Sequence, residues 1–274
     1  MAKKIGISIL GCGWFGLPLA KQLITLGYRV NGSTTTPDKL TALTDEGIEA
    51  YLIDLANEDV KDVSAFFDSE VLVIAFPPRM RSGKEGNYLP KIEHALRMIK
   101  NSAVKQVIFI SSSSVFGDTN TKVDESSIPQ PETDSGKAIL SAERLLQSTP
   151  GLTTTVLRFS GLIGPGRDPG RFFGGKTAVP NGQAPVNLIH LDDCIGITCQ
   201  IIEKEAYGLV YHGVTPDHPS RQDFYTPVSV KAGYAAPTFI DELKEWKIVE
   251  SKHVPLYLNY TFVNGSLLDL IKRY

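Results

Sequence analysis

The sequence predicts an α/β fold, a doubly wound parallel sheet with a small C-terminal cap. Two observations predict this class. Strand-like and helix-like segments alternate over the first two-thirds of the chain, and a glycine-rich turn joins the first strand to the first helix. Such alternation is typical of a parallel sheet that is covered by helices on both faces.

Each predicted element rests on composition and periodicity. The first strand contains the alternating residues Ile5, Ile7 and Ile9. The other strands, rich in β-branched and aromatic residues, are predicted at 28–33, 51–55, 71–76, 107–111, 153–159 and 209–214. Apolar residues at helical spacing predict a helix that starts at Gly16 and stops at Gly27, and further helices over 37–46, 88–102, 135–148 and 193–204.

The pattern loosens after Gly161. Residues 164–166 and 170–185 are rich in glycine and proline, which is typical of long loops over a site. We therefore predict a main domain of residues 1–160, to which residues 187–214 return. Residues 161–186 and 215–274 are predicted to form the small cap.

The bulk composition restricts the classes of function. A net charge of −2, with 42% hydrophobic and 21% charged residues, is ordinary for a soluble globule and gives no reason to expect a nucleic acid or membrane partner. Cys12, Cys194 and Cys199 show no metal-binding spacing, so no metal site is expected, and their small number suits a reducing cytoplasm. The apolar run near the N-terminus, about six residues, is too short for a secretory signal.

The glycine turn predicts a dinucleotide site. Gly11, Gly13 and Gly16 form the pattern G-x-G-x-x-G between a strand and a helix, with Trp14 and Phe15 between the last two glycines. The first glycine allows a tight turn, the second lets a pyrophosphate approach the backbone, and the third packs the helix against the strand. The helix N-terminus then favours the anion. These five residues are the predicted core of a Rossmann-type cofactor site.

The end of the second strand indicates which dinucleotide is bound. An NAD site usually carries an Asp or Glu here for the ribose 2′-hydroxyl, and none is present. Ser33, Thr34 and Thr35 instead offer hydroxyl groups to a 2′-phosphate, and Lys39 can reach it from the next helix. The predicted cofactor is NADP in preference to NAD. The alternative is that Thr36 caps that helix and its neighbours are solvated loop.

The third strand supplies one more cofactor candidate. Asp54 follows the apolar residues of this strand and is an acceptor for the adenine amino group. A helix-capping role for the same carboxylate remains open.

Three further segments resemble one family. The sequence I-S-S-S-S-V-F-G at 110–117 follows the fifth strand, L-R-F at 157–159 leads into G-L-I-G-P-G at 161–166, and N-L-I-H-L-D-D spans 187–193. With the glycine turn, these segments resemble the extended short-chain dehydrogenase/reductases, the NAD-dependent epimerase/dehydratase group, from residue 4 to about residue 205. The resemblance implies an atypical member of that family.

The resemblance implies roles for residues at the ends of the fourth and fifth strands. Ser112, three places before Val115, is at the position of the serine that polarises the reacting oxygen, although a turn serine bonded to its own backbone is the alternative. Phe76 and Pro77 are where the family's chain passes the nicotinamide ribose. Ser111 is a further cofactor candidate next to Ser112.

The family's catalytic Tyr-x-x-x-Lys pair is missing. Alignment on Glu143, which is typical of the family four residues after that lysine, puts Ser135 at the tyrosine position and Ile139 at the lysine position. Lys137 is rotated about 200° from Ser135 around the helix axis and does not replace the lysine. Another group must therefore move the proton if turnover occurs.

Two residues are candidates for that proton transfer. Tyr88 begins the helix after the fourth strand, and His190 lies in the third family segment. Each has a structural alternative. Tyr88 can pack against the glycine-rich loop, and His190 can orient the chain before a helix capped by Asp192.

Basic residues on the substrate side complete the prediction. Arg79, Arg167 and Arg171 lie in glycine-containing segments and are candidate substrate ligands, together with Ser113. The cap is shorter than the family's nucleotide-sugar enzymes usually have.

We predict an NAD(P)-binding oxidoreductase or epimerase-like enzyme that transfers hydride to or from a polar small-molecule carbonyl or alcohol, with nucleotide sugars among the candidate substrates. The alternative is a catalytically silent NADP-binding sensor. The resemblance also implies a homodimer formed through helices 88–102 and 135–148.

Overall fold

The computed structural model describes residues 5–57, 63–78 and 88–273. The strands, numbered in chain order, are β1 Gly6–Leu10, β2 Arg29–Thr34, β3 Glu49–Leu52, β4 Val71–Ile74, β5 Gln106–Ser112, β6 Thr121–Val123, β7 Thr153–Phe159, β8 Gly161–Ile163, β9 Leu188–His190, β10 Val210–Gly213 and β11 Lys247–Val249. The α-helices are α1 Gly16–Thr25, α2 Leu40–Asp45, α3 Tyr88–Ile99, α4 Asp134–Gln147, α5 Leu191–Glu203, α6 Arg221–Lys231 and α7 Leu267–Ile271.

The main sheet has seven strands in the order β10-β7-β5-β4-β1-β2-β3. The neighbours from β3 to β5 pair in parallel, as βαβ connections require. The chain moves outward from β1 through β2 to β3 and then returns to β4 on the other side of β1. The order therefore reverses between β1 and β4, and in such sheets ligands bind beyond the carboxyl ends of the strands at this reversal. The predicted doubly wound fold is confirmed.

The sheet is buried on both faces at its centre. All four residues of β4 are fully buried, and Ile7 and Ile9 of β1 have no exposed surface. Between them in sequence, Ser8 is also buried, and its hydroxyl donates to the Phe66 carbonyl. The amide of Asn31 on β2 donates to the Ser8 hydroxyl over 3.2 Å and to the Phe66 carbonyl over 3.1 Å. Burial removes water from these polar groups, and the hydrogen bonds of this network replace the lost bonds to water.

Several predicted boundaries are wrong by a few residues. The third strand ends at Leu52 rather than at residue 55, so Asp54 lies in the following turn. The predicted helix 37–46 is a 3₁₀ turn at Pro37–Lys39 followed by α2. The predicted helix 88–102 ends at Ile99. Ile53 and Leu55 continue the apolar composition past the end of the third strand, whereas polar residues follow Ile99. The observed ends follow from backbone pairing, which composition does not show.

The chain divides into two compact units that are each discontinuous in sequence. Unit 1 comprises Met1–Ser111, Thr133–Leu157 and Ile201–Val210. Unit 2 comprises Ser112–Glu132, Arg158–Gln200 and Tyr211–Tyr274. The domain bounds predicted from the sequence remain a prediction.

Unit 2 contains two small parallel pairings, β6 with β11 and β8 with β9. The side-chain amide of Asn187 binds the backbone of β11 through both its oxygen and its nitrogen. Its Oδ1 accepts from the Val249 N–H over 2.8 Å, and its Nδ2 donates to the Lys247 carbonyl over 2.9 Å. A separate apolar cluster, which includes Phe224 and Val228 of α6 and Leu267 of α7, forms the core beside these strands.

Asp193 anchors the C-terminal segment of unit 2. This carboxylate is fully buried at the start of α5 and accepts four hydrogen bonds. Its Oδ1 accepts from the Tyr260 hydroxyl over 3.0 Å and from the Val263 N–H over 2.7 Å. Its Oδ2 accepts from the backbone and side-chain N–H groups of Asn264, each over 3.0 Å. A buried carboxylate needs such donors, because burial removes its water.

We expect Asp193→Asn to destabilise the protein by about 2–4 kcal/mol, because an NH₂ group then faces donors and buried partners lose their acceptor. The measurement is thermal unfolding followed by circular dichroism. Asp192→Asn is the matched control, since its side chain is 58% exposed. Equal melting temperatures for the two variants would contradict the anchoring role.

Candidate functional site

The glycine turn of unit 1 is fixed to the end of β2 by two short hydrogen bonds and is closed by a third within the turn. The Gly11 N–H donates to the Ser33 hydroxyl over 2.9 Å, and the Cys12 N–H donates to the Ser33 carbonyl over 2.8 Å. The Gly13 N–H then donates to the Gly11 carbonyl over 2.9 Å and closes the turn. Gly11 has a φ of 110°, a conformation that strongly favours glycine.

Gly16 and Gly13 differ in the space around them. An ideal Cβ at Gly16 would lie 2.2 Å from the carbonyl oxygen of Gly11, so only a hydrogen atom fits where α1 meets the turn. An ideal Cβ at Gly13 would meet no heavy atom of the described residues within 4 Å. The turn therefore leaves open space beside Gly13 while it packs tightly at Gly16. This is the combination that a diphosphate approaching the backbone requires.

The N-terminal end of α1 keeps its positive character. Phe15 occupies the cap position, and its side chain makes no capping hydrogen bond in the described structure. The first turn of α1 contains no acidic residue. Because side-chain carboxylates and caps are the usual partners of this end, the helix dipole here favours an external anion. Trp14 is half-buried and Phe15 is buried beside this end.

At the end of β2, the hydroxyl groups are partly engaged. Ser33 is buried, and its Oγ already accepts from Gly11. Thr34 Oγ1 accepts from the Thr36 N–H over 3.1 Å. Thr36 takes the cap position of the next 3₁₀ turn, but its side chain forms no capping bond with the described residues. Thr35 and Lys39 are exposed.

The other cofactor candidates of unit 1 are placed as follows. The Asp54 carboxylate accepts from the Ala56 N–H over 3.0 Å and so stabilises a turn. The Phe76 ring packs edge-on against Tyr88 with 5.7 Å between ring centroids, and Pro77 is exposed. Arg79 lies outside the described residues.

Tyr88 is held in its protonated form. The residue is 5% exposed, and its hydroxyl donates to the Phe76 carbonyl over 3.4 Å. Burial, together with the nearby Glu143 carboxylate, raises the pKa of Tyr88 well above its ordinary value. Proton donation from this hydroxyl near neutral pH is therefore strongly disfavoured in this conformation.

Ser111 has a partner that the sequence did not reveal. Its hydroxyl donates to Glu143 Oε1 over 2.5 Å, and both side chains are buried. Glu143 served only as an alignment marker in the sequence, but in the structure it connects α4 to the end of β5. The family-typical spacing was the signal that could have suggested this contact.

The residues at the vacated Tyr and Lys positions provide no acid. Ser135 is half-buried at the start of α4, and Ile139 is 5% exposed in the apolar interior of unit 1. Neither side chain at these two positions of α4 can act as an acid near neutral pH.

In unit 2, Ser112 bonds to nearby backbone in a turn, as the structural alternative to its catalytic role predicts. Its Oγ accepts from the Ser114 N–H over 3.1 Å and caps a 3₁₀ turn, which leaves its own proton available for donation. Ser113 is 9% exposed.

His190 caps its helix. Its Nδ1 accepts from the Asp192 N–H over 3.2 Å. The idea that Asp192 caps this helix is wrong, because Asp192 lies inside the first turn of α5.

Arg167 is half-buried, and burial lowers the pKa of its guanidinium, whereas Arg171 is exposed in a 3₁₀ turn.

A parallel sheet with a glycine turn and an uncapped helix at its strand-order reversal defines a dinucleotide-binding protein of the Rossmann class. Residues 11–186 match the model of a family described as NAD(P)H-binding, and the chain belongs to this family. Protein YeeZ of Escherichia coli (strain K12) is 36% identical to it over 261 residues, which cover 93% of this chain and 95% of YeeZ.

Solved structures confirm the resemblance at the level of the fold. A functionally unknown conserved protein from Silicibacter pomeroyi is 21% identical and superposes with a TM-score of 0.79 over 98% of this chain and 97% of that chain. UDP-glucuronic acid 4-epimerase from Bacillus cereus, solved in complex with NAD, is 21% identical with a TM-score of 0.76 over 98% and 99% of the two chains. Both solved structures therefore share the fold of this chain over nearly its full length.

Among the helices that the structure describes, none has both the length and the apolar character that a membrane crossing requires. Within the same residues, no cluster of His, Cys, Asp and Glu side chains is arranged to hold a metal ion.

We expect Gly13→Ala and Gly16→Ala to fail in different ways. The Gly13 variant has room for its Cβ and should fold with stability within about 0.5 kcal/mol of the parent, yet it should bind NADPH at least about tenfold more weakly. The Gly16 variant should lose about 1–3 kcal/mol of stability, because its Cβ meets backbone. Thermal unfolding and NADPH fluorescence titration measure both effects. Unchanged NADPH affinity in the Gly13 variant would contradict the site.

Proposed function

We propose that this protein is an NADP-dependent oxidoreductase or epimerase-like enzyme of the atypical extended short-chain type. The observation that carries the proposal is the uncapped, acid-free N-terminus of α1 beside the open space at Gly13. Both features favour a dinucleotide diphosphate, and the match to the NAD(P)H-binding family supports this assignment.

The residues of the turn fit such a cofactor. Gly11, Gly13 and Gly16 would hold the diphosphate, with Trp14 and Phe15 beside it, and Phe76 and Pro77 would lie along the nicotinamide ribose. When bound, the nicotinamide ring carries hydride at C4. The protein's own part is to bind and orient this group and to polarise the substrate oxygen.

NADP is proposed over NAD from the residues at the end of β2. Residues 33–36, which end β2 and follow it, contain no carboxylate for a 2′-hydroxyl. Ser33 Oγ accepts from Gly11 and retains a proton to donate, and the exposed Thr35 and Lys39 offer a hydroxyl and a cation to a 2′-phosphate. A single exposed lysine contributes modestly to affinity.

On the substrate side, Ser112 is proposed to donate its remaining proton to the reacting oxygen of a polar carbonyl or alcohol. Its oxygen is held by the Ser114 N–H, which orients the hydroxyl group. The B. cereus structure is that of a UDP-glucuronic acid 4-epimerase, and its identity of 21% supports the fold rather than this substrate class.

The second candidate function is a silent NADP-binding sensor. Ser135 and Ile139 at the positions of the missing pair, together with the protonated and buried Tyr88, favour it. In this role the fold would bind the cofactor and signal its presence to a partner.

We further propose a cytoplasmic location and a homodimer through α3 and α4, on family resemblance.

One experiment separates the two functions. NADPH and NADH are titrated by fluorescence, and nicotinamide absorbance is then followed with a panel of aldehydes, ketones and nucleotide sugars. Binding with turnover supports the enzyme, and binding without turnover across the panel supports the sensor. Failure of both coenzymes to bind would overturn both functions.

We expect Ser112→Ala to lower kcat by about 100-fold or more on any substrate found, because the polarising donor is lost. Ser114→Ala is the control, since its backbone N–H, which Ser112 uses, is retained. Equal kcat values in the two variants would remove Ser112 from the mechanism.

We expect Lys39→Ala to weaken NADPH binding about three- to fivefold and to leave NADH binding unchanged, because only NADPH carries the 2′-phosphate. Lys100→Ala, another exposed lysine of unit 1, controls for the loss of one surface charge. A parallel loss of affinity for both coenzymes, measured by calorimetry, would contradict a contact with the 2′-phosphate.

A further inference from the structure

Unit 2 contains a cavity of about 200 Å³ that is bordered by one of the predicted substrate residues, Ser113. Its lining includes Ser113, Asp118, Arg221, Tyr225, Trp246 and Lys247. The volume lies below the range of roughly 300–1,000 Å³ that is typical of sites for drug-sized ligands. The cavity is therefore suited to a small molecule.

The unused polar groups of this cavity are mainly donors. The guanidinium of Arg221, the hydroxyl of Tyr225 and the indole N–H of Trp246 make no hydrogen bond with any residue that the structure describes. Burial raises the pKa of Tyr225 to about 12, so its hydroxyl keeps its proton. A ligand that satisfies these groups must be rich in acceptors.

The other polar side chains are already engaged. Lys247 Nζ donates to Asp118 Oδ1 and to the Phe116 carbonyl, both over 2.8 Å. The side-chain amide of Asn187, which also borders the cavity, is already hydrogen-bonded to the backbone of β11. The Lys247 cation and the Asp118 carboxylate compensate each other, so neither supplies net charge to a ligand.

Arg221 remains as the cation for a ligand. It is the first residue of α6, where a positive side chain opposes the helix dipole, so helix stability does not explain its presence. The carboxylate of Glu245, an exposed lining residue, adds a negative charge that disfavours polyanions. One free guanidinium matches one carboxylate and is too little for a diphosphate.

We propose that this cavity binds the substrate as a small monocarboxylate that carries a flat ring, rather than as a nucleotide sugar. The carboxylate pairs with Arg221, and the ring packs against Trp246, with Tyr225 as a further donor. This inference rests on the proposed function, because it assigns the substrate class of the same enzyme.

The test uses the full chain and three probes in calorimetry: phenylacetate, its neutral isostere 2-phenylacetamide, and UDP. Phenylacetate should bind at least about tenfold more tightly than the amide. Arg221→Gln should remove this preference, whereas Lys231→Gln, the same change at the exposed far end of α6, should preserve it. Trp246→Leu should weaken phenylacetate binding about threefold to tenfold.

Other outcomes overturn the inference. Equal affinity for acid and amide, an unchanged preference in Arg221→Gln, or UDP displacing phenylacetate with higher affinity would each contradict it. NADPH is titrated on the same samples. If the parent protein binds NADPH but shows no preference for phenylacetate over the amide, only the substrate class is refuted. If the parent protein does not bind NADPH, the proposed function is refuted.

Discussion

The close approach of α1 to the glycine turn is the constraint on which the rest of the site depends. The Gly11 carbonyl lies where a Cβ of Gly16 would be, so the helix starts directly against the end of β1. Ser33 fixes the other side of the same turn through its hydroxyl and its carbonyl. Because β1, β2 and α1 meet there, the positive helix end is held at the reversal of strand order, where a parallel sheet binds its ligand.

The sequence predicts well the features that neighbouring residues form. The strand, turn and helix around Gly11 and Gly16 lie within consecutive residues, and alternating segments suffice to predict the parallel sheet. The sequence predicts poorly the contacts between residues that are far apart in the chain. Asp193 meets Tyr260, 67 residues away, and the cavity joins Arg221 to Trp246 and Ser113. No periodicity links such positions, so their meeting follows from tertiary packing alone.

Helix α4 combines one buried carboxylate with an apolar face. Glu143 is buried and bonded to Ser111, and this bond links α4 to the end of β5. One and two helical turns earlier lie Ile139 and Ser135, at the positions where the sequence resemblance implies a lysine and a tyrosine. An apolar side chain at the lysine position removes the need to bury a charge, which otherwise costs several kcal/mol. The stability of this helix therefore does not depend on an ionisable group at position 139.

The division of each unit into three stretches of chain has a consequence for how this protein can vary. Neither unit corresponds to a continuous gene segment, because the backbone passes between them repeatedly. A contiguous piece of chain long enough to carry all of either unit also carries part of the other. Exchange of a whole unit by a single recombination event is therefore not available to this architecture, whereas point substitution and insertion into surface loops are.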